Sequence, residues 1–159
     1  MVTQWSALPD AASAEGQGAL GTRVDRATAD VQTAAAVALF TITGRVLLTM
    51  LLGEVTTIIA AGTTPEAKFQ LNPTVGTTVD LCAALDIASD EVGTLYSIDG
   101  TPATAMLRGE SGAVRNMQNS GIILGPGQIE FICDENVSGS IKFQARYFPL
   151  DPGSSLVAA

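Results

Sequence analysis

The chain has 159 residues, a formal net charge of −8 and no histidine, and 47% of its residues are hydrophobic against 15% charged. This length allows one domain with an arm or tail, and a core that needs no disulfide. An acidic chain lacks the basic surface that phosphate recognition needs, so we expect neither nucleic acid nor an anionic membrane as a partner. The low share of charge predicts that other protein covers part of the surface, as in a homo-oligomer.

The N-terminal part of the sequence differs from the rest. Residues 1–28 are rich in Ala, Gly and Ser and show no sustained hydrophobic period. We therefore expect a flexible or extended arm over residues 1–28 and a domain over residues 29–159. One interpretation is that the N-terminal segment is disordered and that its single aromatic residue has no role. The other is an arm that docks on a neighbouring subunit through Trp5 and Leu8. A signal peptide is not expected, because the segment has no basic n-region and no apolar h-region.

The apolar run over residues 34–52 has the length of a membrane-spanning helix. Gly44 and Arg45 lie at its centre, and an arginine at mid-membrane costs about 2.5–3.5 kcal/mol. β-branched residues surround this pair, so two strands joined at Gly44-Arg45 are the better prediction, and we expect a soluble protein. The apolar run over residues 45–61 is interrupted at Gly53-Glu54.

From residue 35 onward, short apolar strands alternate with turn residues. Strands at intervals of about 8–12 residues predict an all-β domain, an antiparallel β-sandwich or a barrel-like fold, with little helix. Asp99-Gly100 and Pro126-Gly127 each predict a hairpin. The stretch DIASDEVG, residues 86–93, is expected to form a short helical turn.

Apolar and polar residues alternate from Ile141 to Phe148, which is typical of a half-buried antiparallel strand. Adjacent side chains of a strand point to opposite faces, so Tyr147 and Phe148 cannot both enter one core. We expect one of these two aromatic residues to lie at an interface or beneath the arm.

The sequence predicts no catalytic nucleophile. The absence of histidine removes Ser-His and Cys-His mechanisms, so Ser111 in the stretch RGESGAV has no such partner. Cys82 and Cys133 lie in apolar stretches and are expected to be buried thiols rather than a disulfide. Neither has the paired cysteines or histidines of a zinc cluster nearby in sequence.

Two pairs of adjacent carboxylates, Asp90-Glu91 and Asp134-Glu135, are the remaining chemical candidates. A carboxylate-pair hydrolase needs two carboxyls that face each other across a cleft, whereas neighbours on a strand point apart. The loop DENVSG, residues 134–139, lacks the alternating oxygen ligands of a calcium site. We therefore expect no enzyme, no cofactor and no metal.

Four stretches carry a resemblance to a known family: LFTITGRVLLTMLLGEVTT, DLCAALDIASDEVGTLYSIDG, GIILGPGQIEF and GSIKFQARYFPLDPGSSLVAA. Through them, residues 28–159 resemble a group of small virion proteins of tailed bacteriophages, the capsid decoration or cement proteins. The resemblance implies a β-sandwich subunit, often a homotrimer, that lies on the outer face of the capsid. Its partner would be the major capsid protein, whose neighbouring subunits it bridges and stabilises. The family brings no catalytic residues with it.

Two other functions stay open at this point. One is a phage tail or fibre component, and the other is a carbohydrate-binding β-sandwich module, which would need exposed Trp or Tyr platforms. An enzyme with a carboxylate pair ranks last. The residues predicted to lie at an interface are Trp5, Leu8, Tyr147 and Phe148.

Overall fold

The computed structural model describes residues 17–18, 20–30, 35–110, 112–114 and 121–159, with the backbone alone at 17, 18, 29 and 30. These residues form thirteen strands and no helix, which confirms the all-β prediction and contradicts the helical turn expected over residues 86–93. The strands are β1 (Gln17–Gly18), β2 (Gly21–Asp30), β3 (Val37–Thr43), β4 (Val46–Thr57), β5 (Glu66–Pro73), β6 (Val79–Asp80), β7 (Leu85–Asp86), β8 (Leu95–Ser97), β9 (Leu107–Gly109), β10 (Ile122–Leu124), β11 (Gly127–Cys133), β12 (Ser140–Pro149) and β13 (Ser155–Ala158).

The strands form two antiparallel sheets that pack face to face as a sandwich. The seven-stranded sheet has the order β1-β2-β12-β4-β8-β9, with β10 paired to β4 beside β8. The six-stranded sheet has the order β13-β3-β11-β5-β6, with β7 also paired to β5. Each sheet has one face in the core and one face outside, as the alternation of apolar and polar residues predicts.

Three phenylalanines join the two sheets at the centre of the core. The rings of Phe69 and Phe131, from the six-stranded sheet, lie 5.4 Å apart. Phe143, from the seven-stranded sheet, lies 6.0 Å from Phe69 and 5.5 Å from Phe131. Edge-to-face and tilted contacts of this kind add to the stability that burial provides.

The predicted junction at Gly44-Arg45 is confirmed, and it is a corner between the sheets. It joins β3 of the six-stranded sheet to β4 of the seven-stranded sheet. Gly44 has a φ of 66°, a left-handed conformation that glycine adopts at little cost. Asp151 holds the corner, because its carboxylate accepts hydrogen bonds from the Arg45 backbone N at 2.9 Å and from Arg45 Nη2 at 2.7 Å. In the described part of the chain, no helix is long and apolar enough to span a membrane.

Gly53-Glu54 interrupts the apolar run but not the strand, since β4 continues to Thr57. Gly53 faces the core, where a Cβ would lie 3.2 Å from Ile141 Cγ2 and 3.3 Å from the Phe143 ring. The glycine therefore makes room for neighbouring side chains within an unbroken strand.

The two predicted hairpins have different outcomes: Asp99-Gly100 lies between strands that do pair, although the loop is longer than a two-residue turn, whereas Pro126-Gly127 does not join paired strands. Pro126-Gly127 carries the chain from β10, which pairs with β4, across the sandwich to β11, which pairs with β3 and β5. Asp99-Gly100 lies within residues 98–106, the connection between the paired strands β8 and β9. Pro126-Gly127 therefore changes the direction of the chain without pairing the two strands that it joins.

The seven-stranded sheet includes the end of the segment predicted to be an arm. β2 pairs with β12 from Thr22 opposite Tyr147 to Asp30 opposite Ser140. Residues 21–28 are therefore extended and hydrogen-bonded within the sheet, ahead of the predicted boundary at residue 28. The interface candidates Trp5 and Leu8 lie outside the described residues.

Candidate functional site

Strand β12 shows which side chains reach the outer face of the seven-stranded sheet. Its alternation is confirmed, because Ile141, Phe143, Ala145 and Tyr147 are all buried in the core. Lys142, Gln144, Arg146 and Phe148 therefore point outward. Tyr147 is 9% exposed and Phe148 is 38% exposed, so Phe148 is the member of this aromatic pair that reaches the surface.

Three apolar side chains lie in line across the outer face. Phe148 of β12 is opposite Leu47 of β4, and Leu47 is opposite Ile123 of β10. Opposite residues of an antiparallel pair have their Cβ atoms about 4.5–5.5 Å apart on the same face of the sheet. Leu47 is half-buried, whereas Ile123 is 66% exposed. We call Leu47, Ile123 and Phe148 the apolar row.

At two glycines, the backbone passes close to side chains of this row. Gly121 has a φ of 67°, and a Cβ there would lie 2.8 Å from Leu47 Cδ1, so its backbone packs directly against the leucine. Gly21 has a φ of 90°, and a Cβ there would lie 3.3 Å from the Phe148 ring. Both glycines therefore let the backbone lie close to a side chain of the row.

Basic residues lie beside the row. Three of the eight Lys and Arg residues of the chain lie on the outer face of β2 and β12: Arg23, Lys142 and Arg146. Arg26 lies opposite Phe143 and donates to the Ala38 carbonyl of the other sheet. Among the described side chains of β2, β4 and β12, the only carboxylates are those of Asp25 and Glu54. This face is therefore basic relative to a molecule of net charge −8.

Both carboxylates are paired with neighbours. Glu54 lies 2.9 Å from Lys142 Nζ, and Asp25 lies 2.9 Å from Arg23 Nε. Asp25 also accepts a hydrogen bond from Gln144 Nε2 at 2.9 Å, and the bonds from Arg23 and Gln144 lower its pKa.

Arg146 makes no salt bridge within the described residues; it donates to the Gly21 carbonyl at 3.4 Å. Its guanidinium is therefore a positive charge available beside the apolar row. A cleft of about 300 Å³ opens on the same face, lined in part by Arg23, Leu52 and Lys142.

A second polar cluster lies by β8 and β9. Asp90 is 7% exposed and accepts hydrogen bonds from the Tyr96 hydroxyl at 2.6 Å and from Arg108 Nη1 at 3.0 Å. Burial raises the pKa of Asp90 and, with the bond to Asp90, that of Tyr96. Arg108 also contacts Glu110 at 3.3 Å. Both oxygens of Asp90 are thus bonded, and the cluster ties residues 87–94 to β8 and β9.

The other pair of adjacent carboxylates holds a loop. Asp134 Oδ1 accepts a hydrogen bond from the Glu66 backbone N at 2.8 Å, and Glu135 accepts from the backbone N of Thr63 and Thr64 at 2.9 Å and 3.1 Å. Their partners are therefore main-chain groups. In the part of the chain that the structure describes, no three His, Cys, Asp or Glu side chains are placed to hold a metal ion.

The predicted state of the two cysteines is confirmed. Cys82 and Cys133 are both buried and free. Burial raises the pKa of the Cys82 thiol to about 11, and burial also raises that of Cys133. A thiol with a raised pKa is mostly protonated at neutral pH, which makes it a poor nucleophile.

Sequence reasoning found one residue of the apolar row and missed two. Phe148 was selected by its place in an alternating strand, whereas Leu47 and Ile123 are 76 positions apart in sequence and meet only through strand pairing. No local signal marks that pairing. Searches against known protein families, curated proteins and solved structures found no match for the chain.

Proposed function

We propose that this chain is a virion structural protein that decorates and stabilises a bacteriophage capsid by bridging neighbouring subunits of the major capsid protein. The apolar row is the single observation that carries the proposal. Exposed apolar surface bordered by polar residues is typical of protein interaction sites. The resemblance of residues 28–159 to capsid decoration proteins is what directs the proposal to a capsid.

The charge distribution supports a defined orientation on the shell. Arg23, Lys142 and Arg146 lie on the face that carries the row, while the chain as a whole has a net charge of −8. In this proposal the seven-stranded sheet faces the capsid and the more acidic remainder faces outward. Complementary charge across an interface sets the orientation and raises the rate of association.

Stabilisation would follow from mass action. A protein that binds only the assembled shell stabilises it by RT ln(1 + [L]/Kd), which is about 4.1 kcal/mol at 1,000 times Kd. Repetition of the site over a symmetric shell multiplies the effect of one modest contact. In this proposal, assembly on the outer capsid surface is the activity, and no catalytic step or cofactor takes part.

The sugar-binding alternative has less support from the described residues. Carbohydrate modules present exposed aromatic platforms, but the two tyrosines of the chain, Tyr96 and Tyr147, are 0% and 9% exposed. We therefore do not propose a carbohydrate-binding function.

The first test is the number of copies in purified virions of the phage that encodes the chain, measured by quantitative mass spectrometry against the major capsid protein. Decoration predicts hundreds of copies per particle. A handful of copies would assign the chain to a tail or fibre, and its absence from the particle would overturn a virion function altogether.

The second test asks whether the apolar row makes the contact. Ile123→Asp places a charge in the row and should weaken binding to shells of the major capsid protein at least tenfold, a loss of about 1.4 kcal/mol. Val157→Asp is the matched control, because Val157 is 51% exposed on the other sheet. Equal binding by the two variants would show that another face binds the shell.

A further inference from the structure

We propose that two copies of this chain pair edge to edge through strand β13, antiparallel about a two-fold axis at Val157. Their six-stranded sheets would then join into one continuous sheet. The pairing uses an edge of the sheet that does not carry the apolar row, so it does not depend on the proposed capsid function.

β13 has a free edge. Within the described residues it pairs with β3 alone, at one end of the six-stranded sheet. Ala159 N donates to the Leu39 carbonyl at 3.0 Å, and hydrogen-bonded and non-hydrogen-bonded residue pairs alternate along an antiparallel ladder. Val157 therefore bonds to β3, whereas Leu156 and Ala158 direct their main-chain N–H and C=O groups to the free edge. No described residue bonds to them there.

This edge has none of the features that keep edge strands apart. Sheet edges are protected by charged side chains, by proline or by a bulge. β13 has the sequence SLVA, and its register with β3 is uninterrupted. The long strand β2 of the other sheet differs, because it carries Arg23, Asp25 and Arg26. A further strand can therefore join the sheet at β13.

The free edge is held in a fixed position. The turn before β13 is closed by the Ser154 backbone N, which donates to the Asp151 carbonyl at 3.0 Å. The Asp151 carboxylate accepts from Arg45 Nη2 at 2.7 Å, at the corner between the sheets. Leu156 is 1% exposed and anchors the strand in the core. A strand that is already ordered loses little conformational freedom when it binds.

The register that satisfies this edge is self-complementary, which commits it to a second copy of the chain. Leu156 would pair with Ala158 of the second copy, and Ala158 with Leu156 of the second copy. Each pair exchanges both N–H···O bonds, so every outward main-chain group of these residues would be bonded. A contact that uses the same residues of both copies closes on itself.

Val157 would lie on the two-fold axis, opposite Val157 of the second copy. It is 51% exposed and lies opposite Thr41 of β3, which lies opposite Gln128 of β11. This row across the outer face is therefore polar within the sheet and becomes apolar at the free edge. Cross-strand side-chain pairs stabilise a sheet, and β-branched side chains pack well against one another there.

The first test is the mass of the full chain in solution. The edge has four residues, and small interfaces are weak and transient, so we expect reversible pairing at high micromolar concentration. Sedimentation velocity from the low micromolar to the millimolar range should show a monomer that converts to a dimer and to nothing larger.

Hydrogen exchange of single amides, followed by NMR, locates the pairing. The amides of Leu156 and Ala158 should become protected as the protein concentration rises. The amide of Val157 already bonds to β3, so it should be protected at every concentration and provides the internal control.

Substitutions separate the edge from other surfaces. Ala158→Pro should abolish the dimer, because the proline ring replaces an outward N–H and removes no bond to β3. Ala158→Ser keeps that N–H and should pair normally. Val157→Lys places like charges opposite each other at the axis and should also abolish the dimer. Ile123→Lys, on the other sheet, should leave it unchanged.

Four results would overturn the proposal: a monomer at every concentration, a trimer or larger assembly, an unchanged dimer in Ala158→Pro or Val157→Lys, or loss of the dimer in Ile123→Lys. Circular dichroism verifies that each variant is folded. Shell binding measured below the concentrations at which copies pair reports the apolar row alone, so the two proposals fail separately.

Discussion

The outer faces of the two sheets obey the same alternation of side chains but differ in what lies on them. On the six-stranded sheet, Glu130 is only 7% exposed, and Gln70 Nε2 and Asn72 Nδ2 satisfy its carboxylate with hydrogen bonds of 2.7 Å and 2.9 Å. Lys68 and Asp80 form an ion pair beside it at 2.8 Å. This face satisfies its own polar groups.

The seven-stranded sheet instead presents the apolar row and a charge on Arg146 that forms no salt bridge with a described carboxylate. The outer face of the six-stranded sheet, which we call the closed face, pairs its polar groups with one another. The outer face of the seven-stranded sheet, which we call the open face, leaves surface that a partner would stabilise. The comparison teaches that an interaction site can be recognised by the apolar side chains and charges that an outer face leaves without partners. The predictions below test this difference between the faces, beginning with the core.

The largest loss of stability is expected in the core, where one cluster of rings joins the two sheets. Phe131→Ala removes a ring packed against Phe69 and Phe143, and it should lower the free energy of unfolding by about 3–5 kcal/mol. Phe148→Ala, on the outer face, should cost much less. Urea denaturation of both variants provides the measurement, and similar losses would show that Phe148 belongs to the core.

The burial of Cys82 gives the next largest effect. A pKa raised from 9.0 to about 11 makes the thiolate fraction at pH 8 about 100-fold smaller. Alkylation of Cys82 should be correspondingly slow in the native protein and fast in denaturant, as followed by mass spectrometry of the modified peptide. Rapid native labelling would contradict a closed packing around this thiol, whose Sγ accepts from the Phe69 backbone N at 3.4 Å.

The closed face should be more sensitive to loss of a carboxylate than the open face. Glu130→Ala leaves the amide of Gln70 without its partner and should cost about 1–3 kcal/mol. Glu54→Ala breaks the exposed pair with Lys142 on the other sheet and should cost less than about 1 kcal/mol. Chemical denaturation at neutral pH compares the two; an equal cost would remove the distinction between the faces.

The smallest effect is expected in the apolar row itself. Ile123→Ser and Val157→Ser replace exposed side chains and should each change the free energy of unfolding by no more than about 0.5 kcal/mol. Thermal unfolding measures both. A larger loss in Ile123→Ser alone would contradict the 66% exposure of Ile123.

Local sequence patterns were sufficient for some features. The alternation from Ile141 to Phe148 and the junction of two strands at Gly44-Arg45 depend on neighbouring residues, and both predictions are confirmed. The turn at Pro126-Gly127 was located correctly but given the wrong partner strands, because the exposed edge of β4 at residues 46–48 pairs with β10. Choice of a partner strand is a long-range property that a dipeptide does not encode.

The sequence by itself determined that this protein is all-β, that Cys82 and Cys133 are buried, and that Tyr147 and Phe148 point to opposite faces of their strand. These features follow from composition and from the two-residue period of a strand. Only the tertiary structure decided that Leu47 and Ile123 lie beside Phe148, and that Tyr96 and Arg108 enclose Asp90. The physical reason is that the two-residue period determines which side chains of a strand share a face, whereas the register and order of the strands depend on how the whole core packs.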